Sequence, residues 1–380
     1  MVTLQNAENA LKTVYLGTVT DLLNTRVNPL LTKIEQTSAD VWGKEIRTAA
    51  RFGINGGIGA GDEDGDLPSA YGNNYLQFVT TLKNLYGQIE ISDKAIRASA
   101  DGRGAFTDLL NAELEGLLNA SKFNLGRMLY GDGTGLLATC AGTTAITVDT
   151  TRNLIEGLAV DVYASAGTKK GTARIKYVDH AGKKVELEGS SVTLAAGDKL
   201  YVQGSKDKEI TGIGALFNGD SIYGVQKSAH PFLKPYSKNV KGAIDELVMQ
   251  EAIDTLENDA GSTVDFIACS QKAKYSYIDY MSSFRRNIDM TEMEGGFKTI
   301  SYNGIPLVYD RFVPEGSMYL LNTKAFKLHQ LCDWRFLETE NGKILRQNQG
   351  KPTYTATLVK YCDLICGKPN GQAVLTGITF

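Results

Sequence analysis

The sequence contains little proline or histidine and no long apolar run. Of its 380 residues, eight are proline and three are histidine. No stretch approaches the ~18 uninterrupted apolar residues of a membrane-spanning helix, so we expect no membrane contact. The first 17 residues lack the basic start and continuous apolar core of a secretory signal peptide. We therefore expect a soluble chain that stays in the compartment where it is made.

Cysteine is also scarce, and its number, five, is odd. An odd number of cysteines spread over a long chain is not a disulfide framework and is typical of a reducing compartment. His329-x-x-Cys332 and Cys362-x-x-x-Cys366 offer four zinc ligands, but the second spacing is loose for zinc. Buried apolar cysteine is the commoner role of this residue, so we predict no metal here.

An excess of basic residues is absent as well. Lys plus Arg number 40 and Asp plus Glu number 43, which gives a net charge of −3. This balance argues against a chain that condenses nucleic acid through its charge. The 42% hydrophobic content is that of a globular protein, and about 150 residues per domain gives two to three domains.

Motifs of catalysis and cofactor binding are missing. No phosphate-binding P-loop and no G-x-S-x-G nucleophile motif occurs, and Gly57, Gly59 and Gly61 lack dinucleotide-binding spacing. A calcium loop starting at Asp62 would have its glycine fourth instead of sixth and Asn73 in place of the last glutamate. We predict no enzyme and no cofactor. A multidomain enzyme whose site is assembled from distant residues is the alternative that this reading leaves open.

Two segments near the N-terminus carry apolar patterns without a partner in the sequence. Residues 1–42 have an apolar stripe at helical spacing that includes Leu11 and Tyr15. Residues 43–98 read as two extended strands joined by a glycine-rich acidic tip. An isolated two-stranded arm is barely stable in water, so we expect it to lie on another surface.

The rest of the chain alternates between helical and strand patterns. Residues 104–130 predict one long helix with Leu117 and Leu118 buried, and residues 239–261 predict a second helix. Short strands within residues 143–216 predict a small barrel or sandwich. Asn303-Gly304 predicts a hairpin, and residues 354–365 predict a strand. Long elements, an unpartnered arm and no chemistry together indicate a subunit that interlocks with copies of itself.

In this order of elements the chain resembles the major capsid proteins of tailed double-stranded-DNA bacteriophages, which have the Hong Kong 97-type fold. The resemblance covers most of the chain. It is carried by FGINGGIGAGDEDGDLP at 52–68, LYGQIEISDKAIRAS at 85–99, LYGDGTG at 129–135 and VYDRFVPEGSMYLLN at 308–322. The implied fold class is α+β, with a small β-barrel-like module inserted into the family's fold.

The resemblance implies a division of the chain into six parts. These are an N-terminal arm (1–42), the extended E-loop (43–98), a peripheral (P) domain with its spine helix (99–142), the inserted β-rich module (143–216), mainly the axial (A) domain (217–350), and a return to the P domain with the C-terminus (351–380). It also implies that E-loop and arm residues form the subunit interface, namely Phe52, Asp62, Asp64, Phe78, Leu82, Leu85, Leu11 and Tyr15. Residues 53–70 contain no lysine, so we expect no covalent Lys–Asn link from the tip.

The implied function is structural. Pentamers and hexamers of the chain would form an icosahedral head shell around packaged double-stranded DNA, which the shell contacts non-specifically. A separate scaffolding protein and a portal are the implied partners, and no cofactor or membrane is implied. The implied location is the virion, with the host cytoplasm during assembly. An encapsulin-like nanocompartment shell, which has the same fold and packages protein, is the nearest alternative.

Overall fold

The structure is a computed structural model that describes residues 28–38, 41, 43, 45–94, 105–141, 147–188, 192–284, 290–293, 297–338 and 344–380. The predicted N-terminal stripe with Leu11 and Tyr15 lies outside these residues. The described residues form a mixed α+β fold around three hydrophobic clusters. In the described part of the chain, no helix combines the length and the apolar character needed to cross a membrane.

A five-stranded sheet forms around the longest strand of the fold. The strands are β1 (Glu35–Thr37), β4 (Lys83–Ser92), β19 (Phe326–Phe336), β20 (Arg346–Gln347) and β21 (Thr353–Cys366). Antiparallel β4 covers one edge of β21, while β19 and β20 pair with its other edge. Because both edges are hydrogen-bonded and both faces are largely covered, β21 is apolar over most of its 14 residues. The strand predicted at 354–365 is confirmed.

The predicted long helix is confirmed as α2 (Ala105–Tyr130), which follows the short helix α1 (Pro29–Lys33). Its buried apolar residues join β4 and β21 in the first hydrophobic cluster. Leu118 is buried as predicted, but Leu117 is only half-buried. Leu117 lies against Gly87 of β4, where a side chain would come within 2.8 Å of it, and its remaining surface lines an open groove.

A closed six-stranded barrel follows the long helix. Its strands are β5 (Leu136–Ala141), β6 (Thr147–Val148), β7 (Ala159–Tyr163), β8 (Lys169–Asp179), β9 (Lys184–Glu188) and β10 (Lys199–Val202). The barrel reading of this region is therefore confirmed. The predicted range 143–216 nevertheless misses β5 and extends beyond β10. The five-residue helix α3 (Ile213–Phe217), which lies in that excess, joins the first cluster and not the barrel core.

The barrel has its own core, and its two ends meet at the end of α2. Ten buried residues, among them Val160, Ile175 and Leu200, form a cluster separate from the other two. The amide of Asp207 donates to the carbonyl of Thr134 at 2.9 Å, which joins the chain leaving the barrel to the chain entering it. A module with a private core and a narrow neck is an arrangement that can fold by itself.

A seven-stranded sheet forms the third part of the fold. Its order is β13 (Tyr236–Gly242), β22 (Ala373–Ile378), β18 (Met318–Leu321), β14 (Phe266–Cys269), β17 (Ile305–Tyr309), β16 (Phe297–Tyr302) and β15 (Met290–Met293). Buried residues of the helices α4 (Glu246–Ala260) and α5 (Gln271–Phe284) share the second hydrophobic cluster with this sheet. The Asn303-Gly304 hairpin between β16 and β17 is confirmed, with φ values of 50° and 77°.

The helix predicted at 239–261 was placed too early. Residues 236–242 form β13, which pairs in parallel with β22, and α4 begins only at Glu246. The Asp245 side chain caps this helix by accepting from the amide of Val248 at 2.7 Å, and Gly261 ends it in the left-handed region. Reasoning from the sequence missed this cap, which marks where the helix begins.

Replacing Leu118 with alanine tests the packing of α2. Leu118 is 2% exposed in the main cluster, so Leu118→Ala should lower the free energy of unfolding by about 2–5 kcal/mol. The neighbouring Asn119 is exposed, and Asn119→Ala should stay within about 0.5 kcal/mol of wild type. Urea unfolding followed by circular dichroism measures both. Equal effects of the two substitutions would contradict the assigned helix face.

Two fragments test the independence of the barrel. Residues 133–206 contain all six strands and should unfold cooperatively on heating. Residues 143–216 lack β5, which pairs with both β6 and β10, so this fragment should be unfolded. Thermal circular dichroism compares them. The closed-barrel core would be contradicted if residues 143–216 melted cooperatively or if residues 133–206 did not.

Candidate assembly surface

A long β-hairpin leaves the main sheet near the N-terminal end of the described chain. It consists of β2 (Glu45–Phe52) and β3 (Asn74–Thr81), and we call residues 45–81 the hairpin arm. The strands pair over their full eight residues, from Glu45 opposite Thr81 to Phe52 opposite Asn74. At its base Ile46 and Phe78 are completely buried. The arm therefore has a fixed root and, at its other end, a long connecting loop.

Tyr223 holds the root of the arm through both its backbone and its ring. The carbonyl of Tyr223 accepts from the amide of Val79 at 3.0 Å, and the Tyr223 and Phe78 rings lie 5.4 Å apart. The Tyr223 hydroxyl donates to the carbonyl of Leu364 at 3.1 Å and accepts from the amide of Cys366 at 2.9 Å. This one side chain thus ties the arm to the end of β21.

A tight turn places Tyr223 in that position. Tyr223 and Gly224 have φ values of 49° and 79° and connect the two-residue strands β11 (Ser221–Ile222) and β12 (Val225–Gln226). Positive φ at both central residues is the geometry of a type I′ hairpin turn. Reasoning from the sequence missed this turn because tyrosine seldom adopts positive φ; Gly224 was its only signal.

A buried carboxylate joins the arm to two other segments. Asp363 on β21 is fully buried, and it accepts from the hydroxyl of Thr80 on the arm. It also accepts from the amide of Thr211 at 2.7 Å and from the Thr211 hydroxyl at 3.2 Å, in the segment that follows the barrel. Desolvation raises the pKa of Asp363 above its ordinary value, although these donors act in the opposite direction. Three parts of the fold therefore meet on one side chain.

The predicted interface residues fall into different surroundings. Phe78 and Leu85 are buried in the main cluster of their own chain, and Leu82 is partly buried against it. Phe52 is half-buried and stacks on Phe232 with ring centres 4.5 Å apart. A side chain that its own chain covers offers little to a partner, so Phe78 and Leu85 act here in fixing the root. Leu11 and Tyr15 lie outside the described residues.

Asp62 and Asp64 are exposed at the far end of the arm, in the loop of residues 53–73. The two legs of this loop lie side by side. Gly57 faces the backbone of Tyr71, Gly59 faces Pro68, and Gly61 faces the carbonyl of Asp66. The atoms nearest to the glycines of residues 56–65 all belong to the loop itself. The loop is thus a ribbon that extends the hairpin arm.

Large apolar side chains on the ribbon are exposed to solvent. Ile54 is 77% exposed and Leu67 is 90% exposed; Ile58 and Tyr71 share this exposure, as does Tyr75 on the adjoining strand β3. Large apolar side chains are usually buried, so several exposed ones on one segment are a reason to look for a partner surface. The sequence carried a signal for these residues, since apolar side chains recur within a stretch too rich in glycine to form a core.

The tip of the ribbon is strongly acidic. Asp62, Glu63, Asp64 and Asp66 are all exposed, and no lysine or arginine occurs between Arg51 and Lys83. We call residues 62–66 the acidic tip. Four carboxylates close together without a cation beside them repel one another, so a cationic surface would stabilise the tip.

The cysteine side chains favour packing over chemistry. All five are free, and burial raises the pKa of Cys269, Cys362 and Cys366 to about 12. Thiols with such pKa values are not nucleophiles at neutral pH. Among the described residues, no three histidine, cysteine or acidic side chains are arranged to hold a metal ion.

Comparison with known proteins identifies the fold. No protein-family model matches the chain, and no curated protein matches its sequence. Among solved structures, the chain is similar to a chain of the cyanophage A-1(L) capsid asymmetric unit, with 13% identity, a TM-score of 0.57 and 94% of each chain covered. It is also similar to the holo-SrpI encapsulin complex of Synechococcus elongatus PCC 7942, with 10% identity, a TM-score of 0.51 and 95% of each chain covered. The predicted resemblance to a capsid protein is confirmed at the level of the fold.

Replacing the buried Asp363 tests how the root of the arm responds to pH. The pKa of Asp363 is raised in the folded state from the ordinary 3.8, so its protonated form is favoured by folding. Its contribution is therefore full at pH below 3.8 and is lost as the pH rises through the folded pKa. Asp363→Asn removes this dependence, and its free energy of unfolding should gain on wild type as the pH rises.

The expected gain is about 1.4 kcal/mol for each unit between the two pKa values. Urea unfolding of both proteins at a series of pH values measures it. Glu257→Gln on the exposed side of α4 is the matched control and should show no trend. A difference that shrinks with rising pH would mean that the donors around Asp363 outweigh its burial.

Proposed function

We propose that this chain is the major capsid protein of a tailed double-stranded-DNA bacteriophage. Copies of it assemble into pentamers and hexamers that build a closed icosahedral shell around viral DNA. The observation that carries the proposal is the hairpin arm, whose root is locked into the subunit while its far end displays unpartnered apolar and acidic residues. The shared fold with a cyanophage capsid chain along 94% of both chains supports the same reading.

The arm explains how such a shell holds together. Stable subunit interfaces bury about 1,200–2,000 Å² or more, and an extended ribbon supplies area without enlarging the subunit core. Each subunit both gives an arm and receives one, so every contact is repeated around the shell. Repeated modest contacts add through multivalency, and no single interface needs to be tight.

The charge of the chain suits the inside of a shell as well as its wall. A net charge of −3 on 380 residues gives no strong attraction to the phosphate backbone. Packaged DNA would then be enclosed and touched non-specifically. A scaffolding protein and a portal complete the proposed set of partners, and the proposed location is the virion, with assembly in the host cytoplasm. No catalytic role is proposed, since the buried cysteines remain thiols.

A protein nanocompartment is the second candidate. The structural similarity to the SrpI encapsulin complex covers 95% of both chains, and the two shell classes share this fold. The content of purified shells separates them, because nuclease-protected double-stranded DNA fits a virion and protein cargo fits a compartment. Portal or packaging-motor genes beside the coding sequence would favour the virion.

Removing the loop of the arm tests the proposed function. Deleting residues 53–71 joins Phe52 to Gly72, which leaves Gly72-Asn73 as a two-residue turn between strands that already pair at Phe52 and Asn74. We expect a folded subunit that forms no closed shells, whereas wild type forms them. Sedimentation velocity and negative-stain microscopy measure assembly, and a thermal melt reports folding.

Point substitutions separate apolar contact from loop length. The triple variant Ile58→Ser, Leu67→Ser, Tyr71→Ser should reduce the assembled fraction at least about tenfold, because each substitution removes apolar surface from the proposed contact. Tyr177 on the barrel is 55% exposed, and the control Tyr177→Ser should assemble like wild type. Wild-type protein that stays monomeric under all conditions, or full assembly of the deletion variant, would refute the proposal.

A further inference from the structure

A groove lined by lysines lies at the root of the hairpin arm. Its volume is about 360 Å³, and its lining includes Thr48 of β2, Lys324, Lys327 and Lys368, with Ile365 and Ala325 as apolar neighbours. We call it the lysine groove. It lies at the opposite end of the arm from the acidic tip, since Thr48 belongs to the paired strands and residues 62–66 to the far end of the loop.

The lining of the lysine groove contains charges of one sign, whereas that of another large groove of the described chain contains both. None of its lining residues is acidic. By contrast, the groove of about 560 Å³ beside the barrel neck sets Lys83 and Lys208 against Asp207 and Glu209. Of these two grooves, the lysine groove is therefore complementary in charge to a ligand that bears several carboxylates.

The lysines of the groove keep capacity for a further partner. Lys324 is exposed. Lys327 forms an ion pair with Glu35 at 3.1 Å, but both side chains are about half exposed, and exposed pairs of this kind contribute little to stability. Lys368 donates to the carbonyl of Gly261 at 3.2 Å, which leaves two of the three ammonium protons for other acceptors.

The acidic tip cannot fill the groove of its own subunit in this conformation. From Thr48 to Phe52 the strand runs about 13 Å away from the groove, and the loop beyond it continues as a ribbon with its legs in mutual contact. A tip held at the end of a paired hairpin must find its cations elsewhere. A second copy of the chain offers the tip the same lysine groove.

We propose that the acidic tip of one subunit docks in the lysine groove of the next. The inference rests on the proposed function and names the surface that receives the arm. Asp62 and Asp64 meet Lys324 and Lys368, while Leu67 and Ile58 cover the apolar floor around Ile365. Because tip and groove are different surfaces, the contact is head-to-tail, and such a contact generates a ring when the rotation between subunits closes.

Charge reversal with rescue tests the docking. Asp62→Lys with Asp64→Lys should lower the assembled fraction at least about tenfold at 0.15 M salt, and Lys324→Glu with Lys368→Glu should do the same. The variant that carries all four substitutions has the opposite charges on both surfaces. It should recover assembly to within about threefold of wild type, because the attraction is restored. Sedimentation velocity measures each fraction, and a thermal melt checks that each variant is folded.

A matched reversal on the barrel controls for net charge. Lys184 and Lys199 are exposed on β9 and β10, and Lys184→Glu with Lys199→Glu should assemble like wild type. If wild type assembles and the fourfold variant is no better than either pair, the docking is refuted while the proposed function stands. If wild type never assembles, the proposed function fails and the docking fails with it.

Zero-length crosslinking tests the same contact without any substitution. Carbodiimide joins a carboxylate to an amine only when the two touch, so wild-type shells should yield peptides that link residues 62–66 to Lys324 or Lys368. Shells built from a mixture of isotope-labelled and unlabelled chains show that the link is between subunits. Links from the tip exclusively to other lysines would overturn the docking, whatever the variants do.

Discussion

The fold depends on β21 being hydrogen-bonded along both of its edges. β4 pairs with one edge from Thr353 to Cys362, and β19 and β20 occupy the other. On this strand the Asp363 side chain accepts hydrogen bonds from Thr80 of the arm and from Thr211 in the segment that follows the barrel. A carboxylate without water costs free energy unless donors surround it, so each of these segments is needed by the others. Removing either threonine would take donors away from this buried carboxylate, so the arm and the segment after the barrel keep fixed positions at this strand.

The same constraint divides the hairpin arm into two regions of opposite character. Toward the root, Phe78 and Ile46 are fully buried and Tyr223 ties the strands to β21. Beyond Phe52, the loop contains glycine, exposed apolar residues and four carboxylates, and the atoms nearest to its glycines at 56–65 belong to the loop itself. A subunit that fixes the direction of an arm so firmly and leaves its end uncovered has lowered the entropic cost of binding a partner in advance. The rigid root would thus favour the proposed contact of the exposed end with a second subunit.

Local signals in the sequence predicted much of this fold. The long apolar stripe predicted α2, Asn303-Gly304 predicted its hairpin, and alternating residues predicted the barrel strands. Contacts between segments that are far apart in the sequence were harder to predict. β5 precedes the region that looked like a barrel, and it joins only because the sheet has to close on β10. The lysine groove draws Thr48 and Lys368 from opposite ends of the chain. Burial of Phe78 likewise depended on Tyr223, a residue in a turn with positive φ that propensity disfavours.

In the proposed docking of the acidic tip in the lysine groove, the strength of the ion pairs depends on their exposure to water. Ion pairs that remain near solvent contribute up to about 1 kcal/mol each and are screened within about 8 Å at physiological salt. A tip bound by such pairs can leave and rebind, so a misplaced subunit can be released before a ring closes. Once every tip is docked, release requires several contacts to break together, and the effective concentration of each tip near its groove becomes high. In the proposed shell, weak charged tips on rigid roots would therefore allow correction during growth and still give a stable closed assembly.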